Sequence, residues 1–151
     1  MKYLIYSCVF MLLIACGVFK GNNSSNESTL IELKKTSCRG QCPVYTIIIY
    51  TTGKMTYKGE KNVEKQGRYE KKMSEEGIEK LIKTFKAAKF WDFKDEYTSR
   101  ITDLPTTFIS FSNKGKTKKI RDYHGAPEEL KALEKMIEDI ANAEGWSNIE
   151  E

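Results

Sequence analysis

Apolar and polar positions alternate through Leu30-Ile31-Glu32-Leu33-Lys34, which predicts a first β-strand. Val44 to Tyr50 is apolar, aromatic or threonine at every position, the pattern of a central strand covered on both faces. Thr51-Thr52-Gly53-Lys54 supplies turn chemistry, and Met55 and Tyr57 share one face of the returning strand Met55–Lys58. A more polar strand is expected from Gly67 to Met73, with Tyr69 as its best anchor. Later in the chain, Thr107–Phe111, a turn at Asn113-Lys114-Gly115, and Lys118–Arg121 predict a second hairpin.

The period changes after Ser74, which reads as an N-cap ahead of Glu75 and Glu76 in a first helical turn. Ile78, Leu81, Ile82, Phe85 and Ala88 then recur at the spacing of one buried helix face. Phe90-Trp91-Asp92-Phe93 is expected to lock the end of that helix onto the sheet. Pro127 fits the first turn of a second helix, whose stripe is Leu130, Leu133, Met136, Ile137, Ile140 and Ala141, with Gly145 as the stop. The resulting fold class is α+β: an antiparallel sheet with two helices packed on one face, in the order strands, helix, hairpin, helix. Residues 30–146 make a single domain, and 147–151 form a C-terminal tail.

The first sixteen residues do not belong to that pattern. Lys2 precedes an almost wholly apolar run from Tyr3 to Leu13, the layout of a secretory signal and too short for the roughly 20 residues of a spanning helix. Leu13-Ile14-Ala15-Cys16 resembles a bacterial lipobox. The resemblance implies that 1–15 is a lipoprotein signal peptide, that Cys16 is lipidated, and that acyl chains hold the protein on a membrane. Gly17, rather than Asp, leaves the outer membrane open as the destination, so an exported, envelope-anchored, periplasm-facing protein is expected. Residues 16–29, rich in Asn and Ser, then read as a flexible tether with an end-to-end distance of about 20 Å. Loss of Lys2 with the signal lowers the formal charge only from +4 to +3, with acidic residues interleaved throughout. Nucleic acid is therefore not an expected partner.

With Cys8 and Cys16 accounted for, Cys38 and Cys42 remain. Export to an oxidising compartment favours a disulfide between them, and Gly40 allows the bend it needs. Two sharper readings compete. Cys38-x-x-x-Cys42-Pro43 with a distant His124 resembles the copper-handling thioredoxin-like proteins, although there the second cysteine leads into a helix and here it leads into a strand. Cys38, Cys42 and His124 also make a metal-ligand alternative, one short of the four ligands of a closed zinc site. Asp103 and Asp122 are the best acidic pair for acid–base work, yet Thr102-Asp103-Leu104-Pro105 and Asp122-Tyr123-His124-Gly125-Ala126-Pro127 are both good turn sequences. Asp103, Asp122, Tyr123 and His124 are together the candidate polar site. No nucleophile elbow, zinc-protease motif, P-loop or dinucleotide fingerprint occurs, and no cofactor is expected.

Cys38-Arg39-Gly40-Gln41-Cys42-Pro43-Val44-Tyr45, Thr102-Asp103-Leu104-Pro105 and Asp122-Tyr123-His124-Gly125-Ala126-Pro127, in this order, are similar to the signature of an uncharacterised family of small exported bacterial domains. The resemblance implies one exported domain and assigns no activity. The expected function is a binding or interaction module of the envelope, offering an open sheet face or hairpin edge to a protein partner. A thiol-redox or metal-handling protein is the alternative.

Overall fold

The computed structural model describes residues 27–149. The segment 1–15 expected to be a signal peptide, Cys16 with its expected lipidation, and most of the expected tether lie outside the described residues. Eight strands form one sheet: β1 (Thr29–Lys35), β2 (Val44–Tyr50), β3 (Lys54–Lys61), β4 (Gly67–Lys72), β5 (Glu96–Tyr97), β6 (Thr107–Asn113), β7 (Lys116–Asp122) and β8 (Ser147–Asn148). Helix α1 (Glu75–Ala87) follows β4, and α2 (Glu128–Asn142) follows β7. Across the sheet the order is β5-β7-β6-β1-β2-β3-β4-β8, so β1, the first strand among the described residues, is flanked by β6 and β2.

The expectation of an antiparallel sheet is corrected here, because the sheet is mixed. β5 lies parallel to β7, joined to it by the Arg121 N–H bonded to the Asp95 carbonyl and the Tyr123 N–H bonded to the Tyr97 carbonyl, both at 2.9 Å. The expected element order also lacked β5, β8 and a 3-10 turn at Phe90–Asp92. Strands of two residues are too short to carry an alternating pattern, and their pairing is set by partners distant in sequence. β8 falls in the stretch read as a tail and pairs antiparallel with β4.

A second correction concerns β2. Tyr45, Ile47 and Ile49 are buried, whereas Thr46, Ile48 and Tyr50 are only half-buried. Both helices pack on the face that carries Ile31, Leu33, Ile47, Ile49, Ile109 and Phe111, so β2 has one covered face and one open face. The open face presents Ile48, Tyr50 and Phe108 among exposed cations such as Lys34, Lys58 and Lys119.

Local chemistry accounts for the helices. The Ser74 hydroxyl accepts from the Gly77 N–H at 3.2 Å, closing the start of α1. Ile78, Leu81 and Phe85 are its buried face. At its end Lys89 takes a left-handed conformation (φ 53°), which turns the chain into the aromatic cluster. Phe90 is fully buried, with ring centroids 5.2 Å from Phe85 and 5.8 Å from Phe111. The Lys118 ammonium donates to the carbonyls of Trp91 and Phe93, at 3.3 and 2.5 Å, pinning this turn to β7. Pro127 stands just before α2, and its carbonyl accepts from the Leu130 and Lys131 N–H groups. Among the described residues no helix is long and apolar enough to cross a membrane.

A charged row at the loop end of the sheet

The covered face of the sheet changes character at one end. Ile120, Ile109, Leu33, Ile47 and Tyr57 lie side by side in register across five strands, and all are buried. One row further along, the same register places Asp122 opposite Thr107, Thr107 opposite Lys35, Lys35 opposite Tyr45, and Tyr45 opposite Gly59. The buried phase therefore ends in a polar residue on β1, β6 and β7 (Lys35, Thr107 and Asp122) and in the hydroxyl-bearing Tyr45 on β2.

Helix α2 supplies the matching stripe. Lys131, Glu134 and Glu138 lie at i, i+3 and i+7, beside the apolar stripe of Leu130, Leu133, Ile137 and Ala141. Glu138 bonds Lys35 at 2.6 Å. Lys131 bonds Asp122 Oδ2 and lies 3.7 Å from Glu134 Oε2. The Asp122 and Glu134 side chains are only 1% and 5% exposed, against 45% for Lys131. Asp122 Oδ1 and Glu134 Oε1 are both buried without a hydrogen-bond partner.

The electrostatics follow from that burial. Glu134 is pushed up to about 8, first by desolvation and then by the Asp122 carboxylate beside it. For Lys131, burial works to lower the ammonium, but the carboxylates of Asp122 and Glu134 outweigh it and raise it overall. Burial also raises the Tyr45 hydroxyl, assisted by Glu138, and lifts Tyr57 to about 12.

Two clefts open onto this row, and both include Lys35 and Glu138 in their walls. The first, about 330 Å³, has Asp122 and Glu134 in its lining together with Leu104, Pro105, Tyr123 and Lys131. The second, about 340 Å³, is lined by Tyr45, Tyr57, Pro43, Asn62 and Val63. The rings of Tyr45 and Tyr57 stack there at 5.4 Å. Gly59 permits the second cleft's rim: a Cβ at this position would lie 1.8 Å from the Lys65 carbonyl oxygen, so only glycine lets the β3–β4 connection fold back so closely.

The motif loops gather around the same end of the sheet. Cys38 and Cys42 are joined as a disulfide, with Cα atoms 5.7 Å apart. Asn62 Nδ2 donates to the Cys42 carbonyl at 3.1 Å, and Arg39 meets the Asp103 carboxylate at 3.2 Å. That ion pair is largely exposed, so it orients the loop more than it stabilises it. Thr36 and Thr106 exchange hydrogen bonds at 3.0 Å, and the Leu104 N–H donates to the Tyr123 hydroxyl at 3.3 Å. Tyr123 thus positions the cleft wall.

Of the sequence candidates, Asp122 and Tyr123 line the first cleft, and Asp103 braces the disulfide loop beside it. Asp103 and Asp122 each engage a different cation, Arg39 and Lys131. His124 is exposed and, like Cys38 and Cys42, lines neither cleft. Among the described residues no group of three or more His, Cys, Asp or Glu side chains could hold a metal ion. Sequence reasoning missed Lys35, Lys131, Glu134 and Glu138. A signal for them existed: Glu134 occupies the i+4 position of the stripe begun by Leu130, and Lys35 continues the inward alternation of Ile31 and Leu33.

The five-residue disulfide loop restricts the unfolded chain only modestly. Replacing both cysteines by serine should cost about 2 kcal/mol or less in a urea titration. A loss of twice that size would show the bond supporting more than its own loop.

No curated protein matches the chain. The model of a domain of unknown function, DUF6438, matches residues 29–141, a span that runs from β1 through the polar stripe of α2, and the chain belongs to that family.

Proposed function

We propose that the protein is an exported lipoprotein held at a membrane of the cell envelope through Cys16, and that its domain is a binding module for an envelope protein. The partner inserts a side chain into the cleft above Asp122 and Glu134. One observation carries this reading: Asp122 and Glu134 line an open cleft with nearly buried carboxyl groups, and Asp122 Oδ1 and Glu134 Oε1 have no hydrogen-bond donor from elsewhere in the fold. A buried acceptor left unpaired costs about 1–3 kcal/mol, a cost that a ligand's donor would offset. Catalysis by thiol or imidazole is disfavoured, since the two sulfurs are bonded to each other and His124 stands outside both clefts.

The path of the chain suits presentation to a partner. The tether enters β1 at Thr29, and β1 ends at Lys35 in the polar row. Six strand steps separate anchor side from cleft side by about 20 Å. The cleft therefore lies at the opposite end of β1 from Thr29, where the tether enters the domain.

A photo-crosslinking residue placed at Leu104, in the full chain in its own cells, should give a reproducible protein adduct. The same residue at Glu79, exposed on α1, should not. Adducts of equal yield from both positions, or none from Leu104, would refute the cleft as the binding site. In the same cells Cys16→Ser should move the protein from the membrane fraction to the soluble fraction, and unchanged fractionation would refute the anchor.

A further inference from the structure

The chemical class of the inserted group can be read from the cleft, given that the cleft is the binding site. We infer that the floor formed by Asp122 and Glu134 takes a primary ammonium group, and that Lys131 occupies this position as an internal stand-in until a ligand arrives.

The floor offers the Asp122 carboxylate and the Glu134 carboxyl group, which holds its proton near neutral pH; Lys131 engages one oxygen of each, and Asp122 Oδ1 and Glu134 Oε1 have no donor from elsewhere in the fold. Lys131 is held from the rim, with its side chain 45% exposed, so its flexible stem can leave without disturbing the helix. The two carboxylates are nearly inaccessible and cannot follow it out. An anionic ligand would meet the carboxylates of Asp122 and Glu138 at close range, which disfavours it. A metal ion would need further acidic or imidazole ligands, and no such group exists among the described residues. An ammonium group brings three donors, and its bonds to carboxylates are about twice as strong as neutral ones. Leu104, Pro105 and the Tyr123 ring supply apolar wall for the methylene stem that such a group carries. Lys35 does not compete for the floor, because it is committed to Glu138 at 2.6 Å.

This makes Lys131 a competitor of the ligand. Amide resonances of the full chain in detergent micelles would be followed while adding N-acetyl-lysine methylamide, 1,5-diaminopentane or, as the anionic counterpart, glutarate. Either amine should move Leu104, Asp122 and Tyr123 saturably. Lys131→Met should bind the amines about tenfold more tightly, and Asp122→Asn or Glu134→Gln about tenfold more weakly. Tighter binding of the lysine amide than of the diamine identifies a protein side chain as the source, and the reverse order identifies a free amine. Unchanged or weaker amine binding in Lys131→Met overturns the stand-in role. If glutarate alone saturates these resonances, the cleft remains the binding site and the ammonium assignment falls. If no probe moves them in the wild type or in Lys131→Met, both fall.

Discussion

Glu134→Gln should make the protein more stable than the wild type at pH 9 by on the order of 2–4 kcal/mol, while the two are of similar stability near pH 5. The cause is the burial of Glu134 beside Asp122, which lifts its carboxyl from the ordinary 4.5 to about 8. Between those values the native protein keeps a proton on Glu134 that the unfolded chain has released. The native state then binds more protons, and stability must fall as pH rises through that interval. Below about 4.5 both states are protonated, and above about 8 both are ionised, so this contribution is flat outside the window. Glutamine keeps the shape and removes the titration. The groups facing Glu134 are Asp122 from β7, Lys131 and Glu138 from α2, and Lys35 from β1 through its bond to Glu138. Urea midpoints of both proteins from pH 5 to 9 would measure the difference. Parallel curves across the range would show that Glu134 does not hold its proton in the native state.

Phe111→Ala should be the most damaging single change at the opposite end of the core, lowering stability by about 3–5 kcal/mol. Phe111 is fully buried on β6, and its ring centroid lies 4.8 Å from Phe85, 5.3 Å from Trp91 and 5.8 Å from Phe90. Its ring joins α1 and the 3-10 turn to the sheet. Truncation leaves a cavity among three aromatic rings that backbone constraints keep from collapsing: Lys118 pins the turn to β7, and Phe85 is fixed within α1. For a domain of this size the loss corresponds to a fall in melting temperature of roughly 10–20 °C. Phe111 lies two inward-facing positions from Thr107 along β6, so the titration of Glu134 should survive in whatever fraction stays folded. A loss below about 1 kcal/mol would mean the aromatic cluster is a surface feature rather than the lock between helix and sheet.

These two effects separate what can be read locally from what cannot. The helices were legible because their determinants lie within a turn of one another: Ser74 with Gly77, the stripe Ile78-Leu81-Phe85, and the stripe Leu130-Leu133-Ile137-Ala141. The hairpins were legible for the same reason, as was the aromatic cluster that closes α1. In the site, Asp122 and Tyr123 could be singled out because turn chemistry marks their loop. Lys35 and Glu138, 103 residues apart in sequence, could not be paired by any local pattern.

By itself the sequence determined the helices, the hairpins and the exposed loop chemistry, because periodicity and capping act over three or four residues. Only the tertiary structure decided that the sheet is mixed, that one face of β2 stays open, and that Asp122, Thr107, Lys35 and Tyr45 form one row beneath α2. The physical reason is that cross-strand register is a long-range property. It is set by which strand lies beside which, and a polar residue in the buried phase of a strand becomes a site only when its neighbours across the sheet, and the helix above, are charged as well.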